Sequence, residues 1–223
     1  MEEVTIQGQY HLPIWFDLFA TFLFAFVGSV KAVEKGYDFI GVYVLAFVTS
    51  VGGGLIRDVL LQHGPPVVLQ DYRYLLTVLI SGTVGIFFYT QVHRLQRTIT
   101  LVDSLSLGIY AVYGTQKTIY LGLSPVTALI IGFINAVGGG LIRDVLTKDE
   151  IKLFKPGRFY SVASLLAIVT FLIIGGFLHF HAKTAAIISI TCSFALRFLA
   201  VKYNWRTIAI KRAFKNNWFR KES

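Results

Sequence analysis

Apolar runs follow one another along nearly the whole chain, each closed by a short polar or glycine-containing break. A helix needs roughly 20 apolar residues to cross about 30 Å of hydrocarbon. By that measure the pattern predicts seven spans, at about 13–33, 38–62, 72–92, 99–120, 124–147, 158–180 and 183–203. The connections between them are short, so residues 1–223 are expected to form one membrane domain without a linker.

Composition strengthens this picture. Of 223 residues, 55% are hydrophobic and 15% charged, and the mean hydropathy is +0.64, too apolar for an ordinary soluble domain. The start, MEEVTIQGQYHLP, lacks the basic residues of a cleaved signal, so the first span is expected to direct insertion itself. Cys192 is the single cysteine, which excludes an intrachain disulfide and a thiolate metal site. The five histidines fall near span ends and are assigned no role.

A repeat organises the chain. The ten residues VGGGLIRDVL occur at 51–60 and again, unchanged, at 137–146, an offset of 86 that extends upstream without a gap. It pairs Asp17 with Asp103, Ala25 with Ala111, Gly28 with Gly114, Lys31 with Lys117, Gly36 with Gly122 and Phe47 with Phe133. Each copy holds three spans, an odd number, so the second copy enters the membrane in the opposite sense. The expected fold is all-α, with two inverted three-helix repeats at about 13–92 and 99–180, a seventh helix at about 183–203 and a basic amphipathic tail at 204–223.

Polar residues inside these spans mark the candidate chemistry. At 100° per residue, Asp17, Ala25, Gly28 and Lys31 fall within one face of the first helix, and Asp103, Ala111, Gly114 and Lys117 within one face of the fourth. Each glycine in a helix interior costs about 1 kcal/mol relative to alanine. The triplets Gly52, Gly53, Gly54 and Gly138, Gly139, Gly140 are therefore expected to bend or briefly unwind spans two and five, freeing carbonyls for a transient monovalent cation. Thr49 and Asn135, one turn earlier at equivalent positions, are candidates to add side-chain oxygens. The alternative use of such glycines is close helix packing.

An ionisable residue within a span faces a partner or water. Asp17 and Arg57 lie at matching depths, as do Asp103 and Arg143, which predicts two symmetry-related ion pairs. Asp58 and Asp144, about 100° round the helix from the arginines, are candidate pore-lining or intersubunit carboxylates. Lys117 is a candidate gating charge, with snorkelling to the interface as its alternative, and Lys31 has the same choice.

The net charge of +9 is unevenly placed. Lys35, Arg94, Arg97, Lys148, Lys152, Lys155, Arg158 and the tail all fall on one side of the predicted membrane, which puts the N-terminus outside and the C-terminus in the cytoplasm. The tail interleaves Trp205, Phe214, Trp218 and Phe219 with Lys211, Arg212, Lys215, Arg220 and Lys221, a pattern suited to anionic lipid headgroups rather than to nucleic acid.

The doubled GGGxxRD block, Gly52 to Asp58 and Gly138 to Asp144, together with the three-plus-three arrangement and a seventh helix, resembles the trimeric intracellular cation (TRIC) channel family in its prokaryotic branch. The resemblance covers about residues 13–203 and implies a homotrimer with a potassium-permeable pore in each protomer, gated at the glycine bends. It also implies a prokaryotic plasma (inner) membrane. Prokaryotic relatives are also described as glycine transporters, so glycine or another small solute is the alternative cargo. No TVGYG filter is present, so modest selectivity among monovalent cations is expected. No GxxxxGK[ST] loop, HExxH motif or nucleophile elbow occurs, and neither enzymatic activity nor a cofactor is expected.

Overall fold

The computed structural model describes residues 11–93, 96–154, 159–178 and 180–205. The described residues are helical, in the order α1 (Trp15–Glu34), α2 (Phe39–Leu61), α3 (Tyr72–His93), α4 (Gln96–Tyr120), α5 (Pro125–Leu146), α6 (Tyr160–Phe171) and α7 (Ala182–Lys202). One short turn, Val67–Gln70, precedes α3, and α6 runs on through a π-helical segment, Leu172–Phe177. These bounds lie within a few residues of the apolar runs. Beyond Trp205 the basic tail lies outside the described residues, and with it the expectation of lipid headgroup binding.

Six of the helices are long and apolar enough to cross a membrane. The exception is α4, which carries Arg97, Asp103 and Lys117 among threonines and serines. It packs against α1, α5, α6 and α7, and Asp103, Ser104, Ser106 and Leu107 are buried. A helix enclosed by other helices exchanges lipid contact for protein contact, so it tolerates polar residues that a lipid-facing helix does not.

The two halves repeat each other down to their turns. Gly36 after α1 and Gly122 after α4 take φ of +73° and +76°. In both, the glycine amide and the next one bond back to carbonyls three and five residues earlier, the left-handed ending that glycine adopts without strain. Asp38 then caps α2 by accepting from the Gly41 amide at 2.8 Å, and Ser124 caps α5 by accepting from the Thr127 amide at 3.2 Å. Each cap contributes about 1 kcal/mol, and Pro125 at the start of α5 removes a donor that would otherwise be unpaired.

The main core lies where α1, α4, α5, α6 and α7 meet, around Phe24, Leu107, Val112, Ile168 and Phe171. Phe24 and Tyr110, equivalent positions of the two halves, stack there at 5.2 Å between centroids.

The expected unwound stretch at the glycine triplets is corrected. Both α2 and α5 continue as α-helix through them, so no carbonyl is freed there and no cation ligand arises from a broken backbone. The glycines instead mark the crossing of α2 over α5. A Cβ on Gly53 would run into the Asn135 carbonyl oxygen, and one on Gly139 into that of Thr49. Backbone contact between the helices supplies the reason for the missing side chains, which is the packing alternative.

Candidate functional site

The crossing of α2 and α5 brings equivalent residues together. Gly53 meets the neighbourhood of Asn135, and Gly139 that of Thr49, its equivalent. Such reciprocal contact is what twofold-related units make. Thr49 and Asn135 are fully buried, and Thr49 Oγ1 and Asn135 Oδ1 have no hydrogen-bond partner among the described residues. The amide of Asn135 is oriented by its Nδ2, which donates to the Tyr110 carbonyl at 2.7 Å. The unbonded oxygen is thereby turned the other way. Two buried acceptor oxygens thus remain, one beside Gly28 and one on the side chain that packs against Gly114, and an unmade buried hydrogen bond costs about 1–3 kcal/mol.

A charged cluster flanks the crossing in each half. In the first, Arg57 Nε donates to Asp58 Oδ1 at 2.7 Å, and Lys117 Nζ reaches the same oxygen at 2.7 Å. Asp58 Oδ2 also accepts from the Val67 amide at 3.0 Å. Asp17 lies 3.9 Å from Arg57 Nη1 and takes its short bond from the Tyr74 hydroxyl instead, at 2.6 Å. The ring of Tyr113 covers the Arg57 guanidinium at 5.4 Å. Two carboxylates and two cations balance, as buried charges must.

In the second cluster Arg143 Nη1 donates to Asp103 Oδ1 at 2.8 Å, while its Nη2 and Nε both bond Asp144 Oδ1 at 3.0 Å. Asp144 Oδ2 accepts from the Lys152 amide at 3.3 Å. Arg197, from α7, is buried beside this group, donating to Ser104 Oγ at 3.0 Å with its guanidinium 5.3 Å from the Tyr160 ring. Asp103 Oδ2 and the Tyr160 hydroxyl make no hydrogen bond among the described residues.

Asp58 and Asp144 are 6% and 4% exposed within a single chain and bonded to their sequence neighbours, because each arginine folds back along its own helix. Lys117 does not snorkel free, since Asp58 holds it with 22% of its side chain exposed. Its equivalent, Lys31, lies at 3.0 Å from Glu34 and 2.9 Å from Asp149, which Lys35 also binds at 2.6 Å. A cavity of about 420 Å³ opens between the charged groups Lys31, Glu34, Arg143, Asp144, Asp149 and Lys152 and the apolar side chains of Val27, Val30 and Ile99.

Sequence reasoning missed Tyr74, Tyr160, Tyr110 and Arg197. For the first two a signal existed, since they lie 86 positions apart, and for Arg197 it was an arginine within a span. Nothing in the local pattern distinguishes Tyr110.

Comparison with known proteins follows the same division of the chain. The profile of the family described as "Glycine transporter" matches residues 14–90 and 100–175, two segments that begin 86 positions apart. A UPF0126 membrane protein of Deinococcus radiodurans is 36% identical over 151 residues, 67% of this chain and 70% of that one. The UPF0126 inner membrane protein YadS of Escherichia coli K12 is 31% identical over 202 residues, 86% and 93% of the respective chains. Among solved structures, the TRIC trimeric intracellular cation channel orthologue from Rhodobacter sphaeroides superimposes with a TM-score of 0.81 at 27% identity, covering 86% of this chain and 98% of its own. A second TRIC cation channel gives 0.77 at 30% identity, covering 89% and 97%. With its multi-pass helical build, its two matching halves and its relatives in bacterial inner membranes, the chain belongs to the UPF0126 glycine transporter family and has the fold of the prokaryotic TRIC channels.

Proposed function

We propose that the protein is a passive channel for monovalent cations, potassium among them, with one pathway through each protomer of a homotrimer. The observation that carries this reading is the pair of buried, unbonded oxygens, Thr49 Oγ1 and Asn135 Oδ1, at equivalent positions of the two helices that cross. Neutral oxygens replace water around a monovalent cation without binding it too tightly to leave. The likeness to solved TRIC cation channels, described as trimeric, supports both the cargo and the assembly.

In this reading all seven long helices span the membrane, α4 included, and the two halves are inverted about an axis in the membrane plane. The C-terminus lies in the cytoplasm, on the side of Lys35 and Lys148. Gly52, Gly53, Gly54, Gly138, Gly139 and Gly140 keep α2 and α5 in close contact beside the pathway. The ion pairs at Arg57 and Arg143 hold the helices in register, and Lys117 stands where it repels or admits a cation according to its bond with Asp58.

The family's description favours a second cargo, glycine. Recording the purified protein in planar bilayers under potassium, sodium and glycine gradients separates the two. Unitary potassium currents, reduced severalfold by Asn135→Leu, are expected. Saturable glycine uptake without unitary currents overturns the channel in favour of a carrier.

A further inference from the structure

The two clusters are built from equivalent residues yet hold different bonds. Tyr74 donates to Asp17 at 2.6 Å. Its equivalent, Tyr160, is buried with its hydroxyl unbonded, and so is Asp103 Oδ2 of the same half. The lysines divide in the same sense. Lys117 sits on Asp58 at 2.7 Å, whereas Lys31 has turned to Asp149 and Glu34 and leaves Asp144 to Arg143 and the Lys152 amide. Lys31 and Asp144 now line one cavity of about 420 Å³. Its walls hold the two groups that would close it.

We propose that Tyr74 with Lys117 and Tyr160 with Lys31 are the two latches of an alternating gate, seen here with the first shut and the second open. In the other state Tyr160 donates to Asp103 and Lys31 binds Asp144, while Tyr74 and Lys117 release Asp17 and Asp58. The cavity then opens on the opposite face. Where two halves of one chain share the bonding residues but not the bonds, the arrangement with the bonds exchanged has similar energy, and small biases set the populations. One such bias is visible. Asp149, which draws Lys31 away, has His63 as its equivalent, and His63 is exposed. Glu34, the other carboxylate on Lys31, has Tyr120 as its equivalent, so carboxylates that pull the lysine aside stand beside Lys31 and not beside Lys117, which favours the state observed. The gate acts whichever small solute crosses, so it stands or falls separately from the choice of cargo.

Labelling from either face tests it. Cys192, which is exposed, is first replaced by alanine. Thr100 lines the open cavity and is half-buried, whereas Gln116, next to Lys117, is buried, so Thr100→Cys and Gln116→Cys report the two sides to a membrane-impermeant maleimide. In the otherwise unchanged chain, Thr100→Cys is labelled from the face bearing Asp149, and Gln116→Cys is protected from the other. Tyr74→Phe removes one buried hydrogen bond from the shut latch and is expected to raise Gln116→Cys labelling about three- to tenfold while lowering that of Thr100→Cys. Lys117→Met reproduces the shift through the second contact of the same latch. Tyr160→Phe removes a bond that only the other state makes, so it leaves Gln116→Cys labelling at or below its starting level. The gate is overturned if Tyr74→Phe and Tyr160→Phe move labelling in the same direction, or if neither Tyr74→Phe nor Lys117→Met exposes Gln116→Cys.

Discussion

Adjacent glycines in one triplet answer to different neighbours. A Cβ at Gly53 or Gly139 meets a backbone carbonyl that cannot rotate aside, whereas at Gly54 the nearest atom is the Arg57 guanidinium at 3.7 Å. Gly53→Ala and Gly139→Ala are expected to lower stability by about 1–3 kcal/mol through overpacking. Gly54→Ala, with room for its methyl, is expected to be neutral or to gain up to about 1 kcal/mol from helix propensity. Thermal unfolding in detergent separates the cases, and equal losses at Gly53 and Gly54 would mean that the triplet acts as a hinge rather than a contact. The arginines differ as well. Asp103 and Arg143 bond directly at 2.8 Å, whereas Asp17 and Arg57 stand 3.9 Å apart. Double-mutant cycles are expected to give a coupling of about 1–3 kcal/mol for the former and less than about 1 for the latter.

Between elements, the tie that matters most is the one from α1 to the loop after α5. Partial burial alone would raise the Asp149 carboxyl, but its hydrogen bonds from Lys35 and Lys31 outweigh that and hold it at about 2. A depressed carboxylate contributes stability above its ordinary value of about 3.9, and that contribution is lost as pH falls through the lowered one. The difference in thermal stability between the protein and Asp149→Asn is therefore expected to stay constant through neutral and mildly acidic pH and to shrink only between about 3.9 and about 2. Asp149→Asn is also expected to reduce labelling of Thr100→Cys at neutral pH by freeing Lys31 for Asp144. Unchanged labelling in the variant would show that Lys31 stays aside without Asp149.

At the scale of the whole molecule, a passive pathway and an alternating gate leave different signatures. If both latches open together for part of the time, unitary currents appear. If one always shuts before the other opens, transport saturates and no unitary step is seen. Tyr74→Phe, by weakening the shut latch, is expected to raise open probability in bilayer recordings about three- to tenfold, with conductance of the open state unchanged. A changed conductance at constant open probability would place Tyr74 in the pathway rather than at its gate.

The helices and the duplication were legible in the sequence, because apolar periodicity acts within a few positions and the repeat of VGGGLIRDVL is exact. The offset of 86 also brought Asp103 to Arg143 by depth alone. The crossing at the triplets was not legible, since a bend and a backbone crossing ask for the same small residue, and the contact with the carbonyls of Thr49 and Asn135 exists only once the helices have packed. Nor did identical decapeptides reveal that their surroundings differ. Two equal sequences have equal bonding options, but which option each half takes is decided by distant residues, Asp149, Tyr74 and Tyr160, that meet them only once the helices have packed.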